Sequence, residues 1–208
     1  MRYLVPLVGR GGLPLDLLHD RSLVEHALSA IPVDAHEVAL VVDDSISAPA
    51  GMGAVVRLDE LTSYCAGHSV LIHDPLCPLT PRTFIAGTAA RFSTDREFAA
   101  AAHRPVTDTI KQVVGDRIAA TIDRERLGVL TSPLLLSEQA VAALDGEWAD
   151  LDFADLVNLL RNYGEVTLIE APSLGRRVDD ESAVMLLQSV AQMSPDSGRC
   201  RPRPRPKT

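Results

Sequence analysis

Three short stretches hold residues whose types and spacing could do chemistry. Val8-Gly9-Arg10-Gly11-Gly12 ends an apolar run. Glycines in such a loop let backbone N–H groups approach a phosphate closely, and the positive end of a following helix adds to the attraction. The pattern is not a Walker loop, because no Gly-Lys-Ser/Thr follows, and it is not a complete G-x-G-x-x-G. A tight structural turn fits it as well as a phosphate site does, and Arg10 is the only cation in residues 4–16. The second stretch is His73-Asp74-Pro75-Leu76-Cys77-Pro78. Asp74 could hold a divalent cation or a ribose hydroxyl, or simply cap the next turn, while His73 continues the apolar run and reads as a hydrogen-bonded core residue. The third carries Asp108-Thr109-x-Lys111 and Asp123-Arg124. The planar guanidinium of Arg124 suits a phosphate bidentately, and Thr109 could add a hydroxyl; taken alone, a surface ion pair is the better reading of Asp123-Arg124. No G-x-S-x-G and no His-rich metal spacing is present.

These stretches must be positioned by regular elements, and the hydrophobic pattern supplies them. Strands are expected at Tyr3–Val8, Val38–Val42, Ala54–Leu58, Val70–His73, Ala99–His103 and Val166–Glu170, and helices at Ser22–Ile31, Pro81–Arg91, Ser137–Leu144, Asp152–Asn162 and Asp180–Met193. Apolar strands that do not alternate suit a parallel sheet covered on both faces. The alternation of strand and helix predicts one α/β domain with a mostly parallel sheet flanked by helices. Ligands of such sheets bind beyond the carboxyl ends of the strands, a position for which all three stretches qualify. Residues 104–131 break the rhythm with two β-rich runs around Val114-Gly115-Asp116, a hairpin signal. A projecting hairpin of this kind serves a dimer contact or is a plain edge.

Composition narrows the partners. The 208 residues carry a formal charge of −8, but the last fifteen, SPDSGRCRPRPRPKT, hold five Lys/Arg and one Asp, a local +4. Residues 1–193 are left with 15 basic and 27 acidic side chains, a net −12, which argues against nucleic acid as the main partner. The Arg-Pro repeat cannot build a core, so residues 194–208 are expected to be a disordered basic tail beside a domain of residues 1–193. Cys65, Cys77 and Cys200 are odd in number and have no Cys-x-x-Cys spacing. No apolar run approaches the roughly 18–20 residues of a membrane span, and the cytoplasm is the expected address.

In chain order the motifs are Val5-Pro6-Leu7-Val8-Gly9-Arg10-Gly11-Gly12-Leu13, His73-Asp74-Pro75-Leu76-Cys77-Pro78, Pro105-Val106-Thr107-Asp108-Thr109-Ile110-Lys111, and Thr121-Ile122-Asp123-Arg124 with Leu127. Order and spacing resemble the cytidylyltransferases that join CTP to 2-C-methyl-D-erythritol 4-phosphate in isoprenoid synthesis, whose relatives acting on ribitol 5-phosphate share the pattern. The resemblance implies a Rossmann-like nucleotidyltransferase fold with a hairpin arm, at about residues 104–131, that joins a homodimer. It implies CTP and a polyol phosphate as ligands, attack of the acceptor phosphate on the α-phosphate of CTP, and Mg²⁺ as the assisting ion. Carried over residue by residue, Pro6, Leu7, Val8, Gly9, Gly11 and Asp74 would line the nucleotide, with Asp74 also the candidate metal ligand. Thr109, Arg124 and Arg177 would hold the acceptor phosphate, and Arg177 and Arg10 would be the catalytic cations. The chain also departs from the pattern. The loop arginine is Leu13, the following lysine falls in Leu15–Leu18, the arginine of the second motif is Cys77, and the base-reading segment shrinks to Arg57–Leu61. Phe153-Ala154-Asp155 stands for a T-D-E helix start, and Arg176-Arg177 covers the late lysine. Retained motifs with missing cations lead to an expectation of weak or absent turnover; the alternative is a non-catalytic homologue that binds a phosphorylated ligand or regulates a true enzyme.

Overall fold

The computed structural model describes residues 1–34, 37–92, 96–146 and 152–193; the expected basic tail lies outside them. The order of elements is β1 (Arg2–Pro6), the two-residue strands β2 (Leu17–Leu18) and β3 (Arg21–Ser22), α1 (Leu23–Ala30), β4 (Val38–Val42), β5 (Ala54–Arg57), α2 (Leu61–Cys65), β6 (Val70–Ile72), α3 (Arg82–Arg91), β7 (Ala99–Pro105), β8 (Ile110–Val114), β9 (Arg117–Ile122), β10 (Gly128–Leu136), α4 (Glu138–Leu144), α5 (Phe153–Leu160), β11 (Val166–Glu170) and α6 (Glu181–Met193). Local chemistry explains where several begin. Ser22 and Glu25 form a reciprocal capping box on α1. Ser137 caps α4 through the Ala140 N–H, and Asp152 caps α5 through the Asp155 N–H.

Seven strands form one sheet in the order β11-β7-β10-β6-β1-β4-β5. The pairs β1–β4, β1–β6, β4–β5 and β7–β11 are parallel, whereas β10 runs antiparallel to both β6 and β7. The sheet is therefore mostly parallel, as expected, with one inverted strand near its middle. That strand is a correction: the sequence reading ended the hairpin segment at residue 131, yet β10 runs on to Leu136. Leu134 and Leu136 enter the core cluster that contains α4 and α5, while Leu135 packs on the opposite face with Ile85 and Phe92. A strand buried on both faces shows no alternation, so period two could not reveal it. The expected strand at 54–58 stops at Arg57 and turns into a short 3-10 segment and α2, which the sequence reading lacked.

The inversion matters for position. Every sheet strand except β10 points the same way, so the carboxyl ends of β1, β6, β7 and β11 meet the start of β10 along one edge. Gly128 at the head of β10 pairs with Pro105 at the end of β7. Between those two residues β8 and β9 form a separate two-stranded ribbon, the expected hairpin, paired from Ile110–Ile122 to Val114–Arg117.

Candidate functional site

The first loop leaves β1 through buried Leu7 and Val8 and then turns on Gly9 (φ 70°) and Gly11 (φ 56°). Both are left-handed conformations, which side chains disfavour and glycine accepts. Between them Arg10 folds back toward the sheet. Its Nε donates to Asp74 Oδ1 at 2.9 Å, Nη2 to Asp74 Oδ2 at 3.4 Å, and Nη1 to the Val8 carbonyl at 2.6 Å. The Arg10 side chain is only 6% exposed. Leu13, where the resemblance places a cation, packs instead against a buried cluster of Leu18, Leu23, Leu76, Val178, Val184 and Leu187 that ties the loop to α6.

Asp74 is the hub of this arrangement. It sits just beyond β6, accepts the Leu76 N–H at 3.0 Å, and faces Arg177 Nε at 3.4 Å as well as Arg10. Burial alone would raise its pKa, but the charge and hydrogen bond of Arg10, the Leu76 N–H and the Arg177 charge outweigh it and hold the carboxyl below its ordinary value. Arg177 also pairs with Asp179. Burial works against the Arg177 charge, yet Asp74 and Asp179 raise its pKa. Behind Asp74 lies a buried relay: the Asp74 N–H donates to Ser132 Oγ at 2.9 Å, which lies 2.5 Å from His73 Nδ1. The buried imidazole is neutral, because burial pushes its pKa down to about 4 despite the Asp74 charge. Burial also raises the Cys77 thiol well above its ordinary value. His73 is a hydrogen-bonded core residue, as its place in the apolar run indicates.

A cleft of about 580 Å³ opens beside this hub, between the base of the hairpin, the start of α5 and the 176–179 segment. Its cations are Arg104, Arg176 and Arg177; its carboxylates are Asp108, Asp152 and Asp179. Burial, then the nearby Arg176 charge, weakens the hold of Arg104 on its proton. Thr131 also lines the cleft, with a buried hydroxyl that has no hydrogen-bond partner among the described residues.

The structure thus brings Arg10, Asp74 and Arg177 together and sets Val8, Gly9 and Gly11 around them, with Pro6 and Leu7 buried behind. Thr109 and Arg124 are exposed on the arm and do not line this cleft. The surface ion pair read from Asp123-Arg124 is replaced by other contacts: Asp123 caps the Glu125 N–H at 3.1 Å, and Arg124 donates to the Thr107 carbonyl. Arg57 spends its charge on exposed Asp44 and Asp59. Arg104 and Thr131 were missed by the sequence reading. The signal available for Arg104 was its place at the carboxyl end of a strand, immediately before the Pro105-Val106 motif. The residues present do not fit a resident metal ion. Among the described residues no three His, Cys, Asp or Glu converge, and both oxygens of Asp74 already face guanidinium groups.

No family model matches the sequence. The chain is 34% identical over 135 residues, 62% of its length, to the Bifunctional enzyme IspD/IspF of Solidesulfovibrio magneticus, and spans about a third of that relative. Among solved structures, it superposes on the 2-C-methyl-D-erythritol 4-phosphate cytidylyltransferase of Thermus thermophilus with a TM-score of 0.74, covering 92% of this chain and 98% of that one at 21% identity. The cytidylyltransferase of Francisella tularensis gives 0.64, covering 89% and 98% at 15% identity. The seven-stranded, mostly parallel sheet with flanking helices is the nucleotidyltransferase fold of these proteins. Motif order, shared sequence and fold point the same way, and the chain has the fold of the 2-C-methyl-D-erythritol 4-phosphate cytidylyltransferases.

Proposed function

We propose that this protein keeps the acceptor half of a cytidylyltransferase site and has a weakened nucleotide half, so that transfer of CMP from CTP to a polyol phosphate is slow or absent. The observation that supports this reading most is the inward turn of Arg10, the sole cation of the β1 loop, onto buried Asp74. In the reaction, an acceptor-phosphate oxygen bonds to the α-phosphorus of CTP while the bond to the β-phosphate breaks and pyrophosphate leaves. Charge at that α-phosphate must be matched by preorganised donors, and removing one such donor costs roughly a hundred- to a thousandfold in rate. Here Leu13 and the Leu15–Leu18 segment replace two of them, and any Mg²⁺ would arrive with the nucleotide. Incubation with CTP, Mg²⁺ and 2-C-methyl-D-erythritol 4-phosphate should release pyrophosphate at least about a hundredfold more slowly than a family member with a complete loop. Calorimetry should find the polyol phosphate bound more tightly than CTP. Ordinary turnover, or tighter CTP, would refute the proposal. A purely non-catalytic homologue, binding a phosphorylated ligand or partnering a true enzyme, is favoured by the same Arg10–Asp74 pair, which cancels the loop charge internally.

We also assign the arm to a homodimer contact. Val113, Val114 and Ile118 are 59%, 64% and 70% exposed on it, apolar area that a monomer leaves wet. Replacing residues 110–122 by a short Gly-Ser linker should turn a dimer into a monomer in sedimentation velocity. The core transition should survive, because the arm belongs to a separate sheet. The reading assigns the protein to the cytoplasm and gives it no nucleic-acid or membrane partner; among the described residues no helix is long and apolar enough to cross a membrane.

A further inference from the structure

We propose that Arg104, Arg176 and Thr131 form a seat for the dianionic group of a phosphate monoester, built within one protomer and separate from the arm residues Thr109 and Arg124. The inference rests on reading the cleft as the acceptor half of the site. Arg104 lies near the end of β7 and Arg176 in the segment after β11, so sheet topology sets the two guanidinium groups on the same cleft. Neither makes an ion pair or a side-chain hydrogen bond among the described residues. Two like charges on one cleft, the Arg176 charge acting on Arg104 and neither paired with a carboxylate, are held at a cost that a bound anion removes. The carboxylates of the cleft do not fill that role. Asp179 is taken by Arg177, Asp152 caps the N-terminus of α5, and Asp108 is exposed and forms no ion pair with either arginine.

Arg177 cannot substitute for the pair, since Asp74 and Asp179 already share its charge. Thr131 supplies the neutral component. Its residue is 2% exposed, it lies on the cleft, and its hydroxyl has no partner among the described residues. A buried hydroxyl without a partner is uncommon, and a phosphate oxygen in the cleft would satisfy it. Planar guanidinium forks match phosphate oxygens in pairs, and two of them balance the two charges of a monoester. A cleft of about 580 Å³ takes a small polyol phosphate with room to spare. The seat therefore selects for the doubly charged end group, while the polyol portion meets the rest of the cleft.

Glycerol 3-phosphate, with inorganic phosphate as a second probe and glycerol as the uncharged control, tests the seat without any need for turnover. Calorimetry at fixed salt should show both anions binding and glycerol not. Arg104→Gln and Arg176→Gln should each weaken binding roughly tenfold or more, as loss of a charged hydrogen bond does. Arg176→Lys should recover part of the loss, and Thr131→Val should cost less than either arginine. Arg176 is exposed, so its variants keep the fold even if Arg104→Gln proves unstable. If the wild type binds glycerol 3-phosphate and only Arg124→Ala weakens it, the seat is wrong while the acceptor-site reading stands. If the wild type binds neither anion, both fall together.

Discussion

Asp74→Asn should destabilise the protein by about 3–5 kcal/mol, the usual result of removing one partner from a buried ion pair. The asparagine keeps size and shape, so little of the loss comes from packing. What it removes is the charge that two arginines face. Arg177 is 31% exposed and has Asp179 in reach, so it can reorganise. Arg10 cannot, because its side chain is 6% exposed and its other contact is the Val8 carbonyl. An unpaired buried guanidinium is the main cost, and urea denaturation at pH 7 would measure it. Adding Arg10→Leu to the variant should recover part of the loss, since a buried pair replaced by apolar groups is often neutral. A loss under about 1 kcal/mol in the single variant would show that the pair is a surface contact in solution. The pH dependence has a definite sign. The folded carboxyl titrates below its ordinary value of 3.8, so its contribution is complete above that value and disappears as pH falls through the lower, folded one. Asp74→Asn should lack that acid-side decline.

His73 acts earlier on the same acid limb. Its ordinary pKa is 6.5 and its folded value is about 4, because a fully buried imidazole resists gaining charge. Between those values the unfolded chain binds a proton that the folded chain refuses, so stability decreases as pH falls. The full effect from pH 7 to pH 4 is about 3 kcal/mol. Urea midpoints measured at half-unit steps should fall across that window, and His73→Asn should fall less steeply. Asparagine can hydrogen-bond the Ser132 hydroxyl as donor or acceptor but does not titrate. Parallel slopes for the two proteins would mean that His73 is solvated or protonated in the fold.

The outline of the fold could be read from the chain because most of its strands are short apolar runs separated by capped helices. The Ser22–Glu25 box and the carboxylates at 152 and 180 mark helix starts by local chemistry. The strand that was overlooked, β10, contains Pro133 and a run of three leucines. Both features argue against a strand when only periodicity is available, since proline breaks the ladder and leucine favours helix. Only contact with β6 and β7 on either side identifies it. The candidate site was legible as loops but not as a circuit. Arg10, Asp74 and Arg177 were each marked, yet nothing in their types or spacing shows that one carboxylate would hold two arginines 64 and 103 positions away. A cation on the β1 loop reads as a phosphate ligand until its partner is seen. Arg104 was legible by its place at a strand end but not by its role, because no sequence rule distinguishes a paired arginine from an unpaired one.

The arm also bears on behaviour at high concentration. A two-stranded ribbon has two open edges, each a row of backbone donors and acceptors ready to accept another strand. Here β8 and β9 form such a ribbon, with valine and isoleucine side chains facing water. Lys111 and Arg117 are the charges within it that discourage uncontrolled growth, as lysine and arginine do on many natural edges. Neutralising them would leave an uncharged, β-rich ribbon outside the core, its edges blunted only by the register shift between Gln112 and Val113, able to recruit further copies edge to edge while the seven-stranded domain stays intact. For such a ribbon the border between a bounded contact and an open-ended assembly is guarded in part by two side chains.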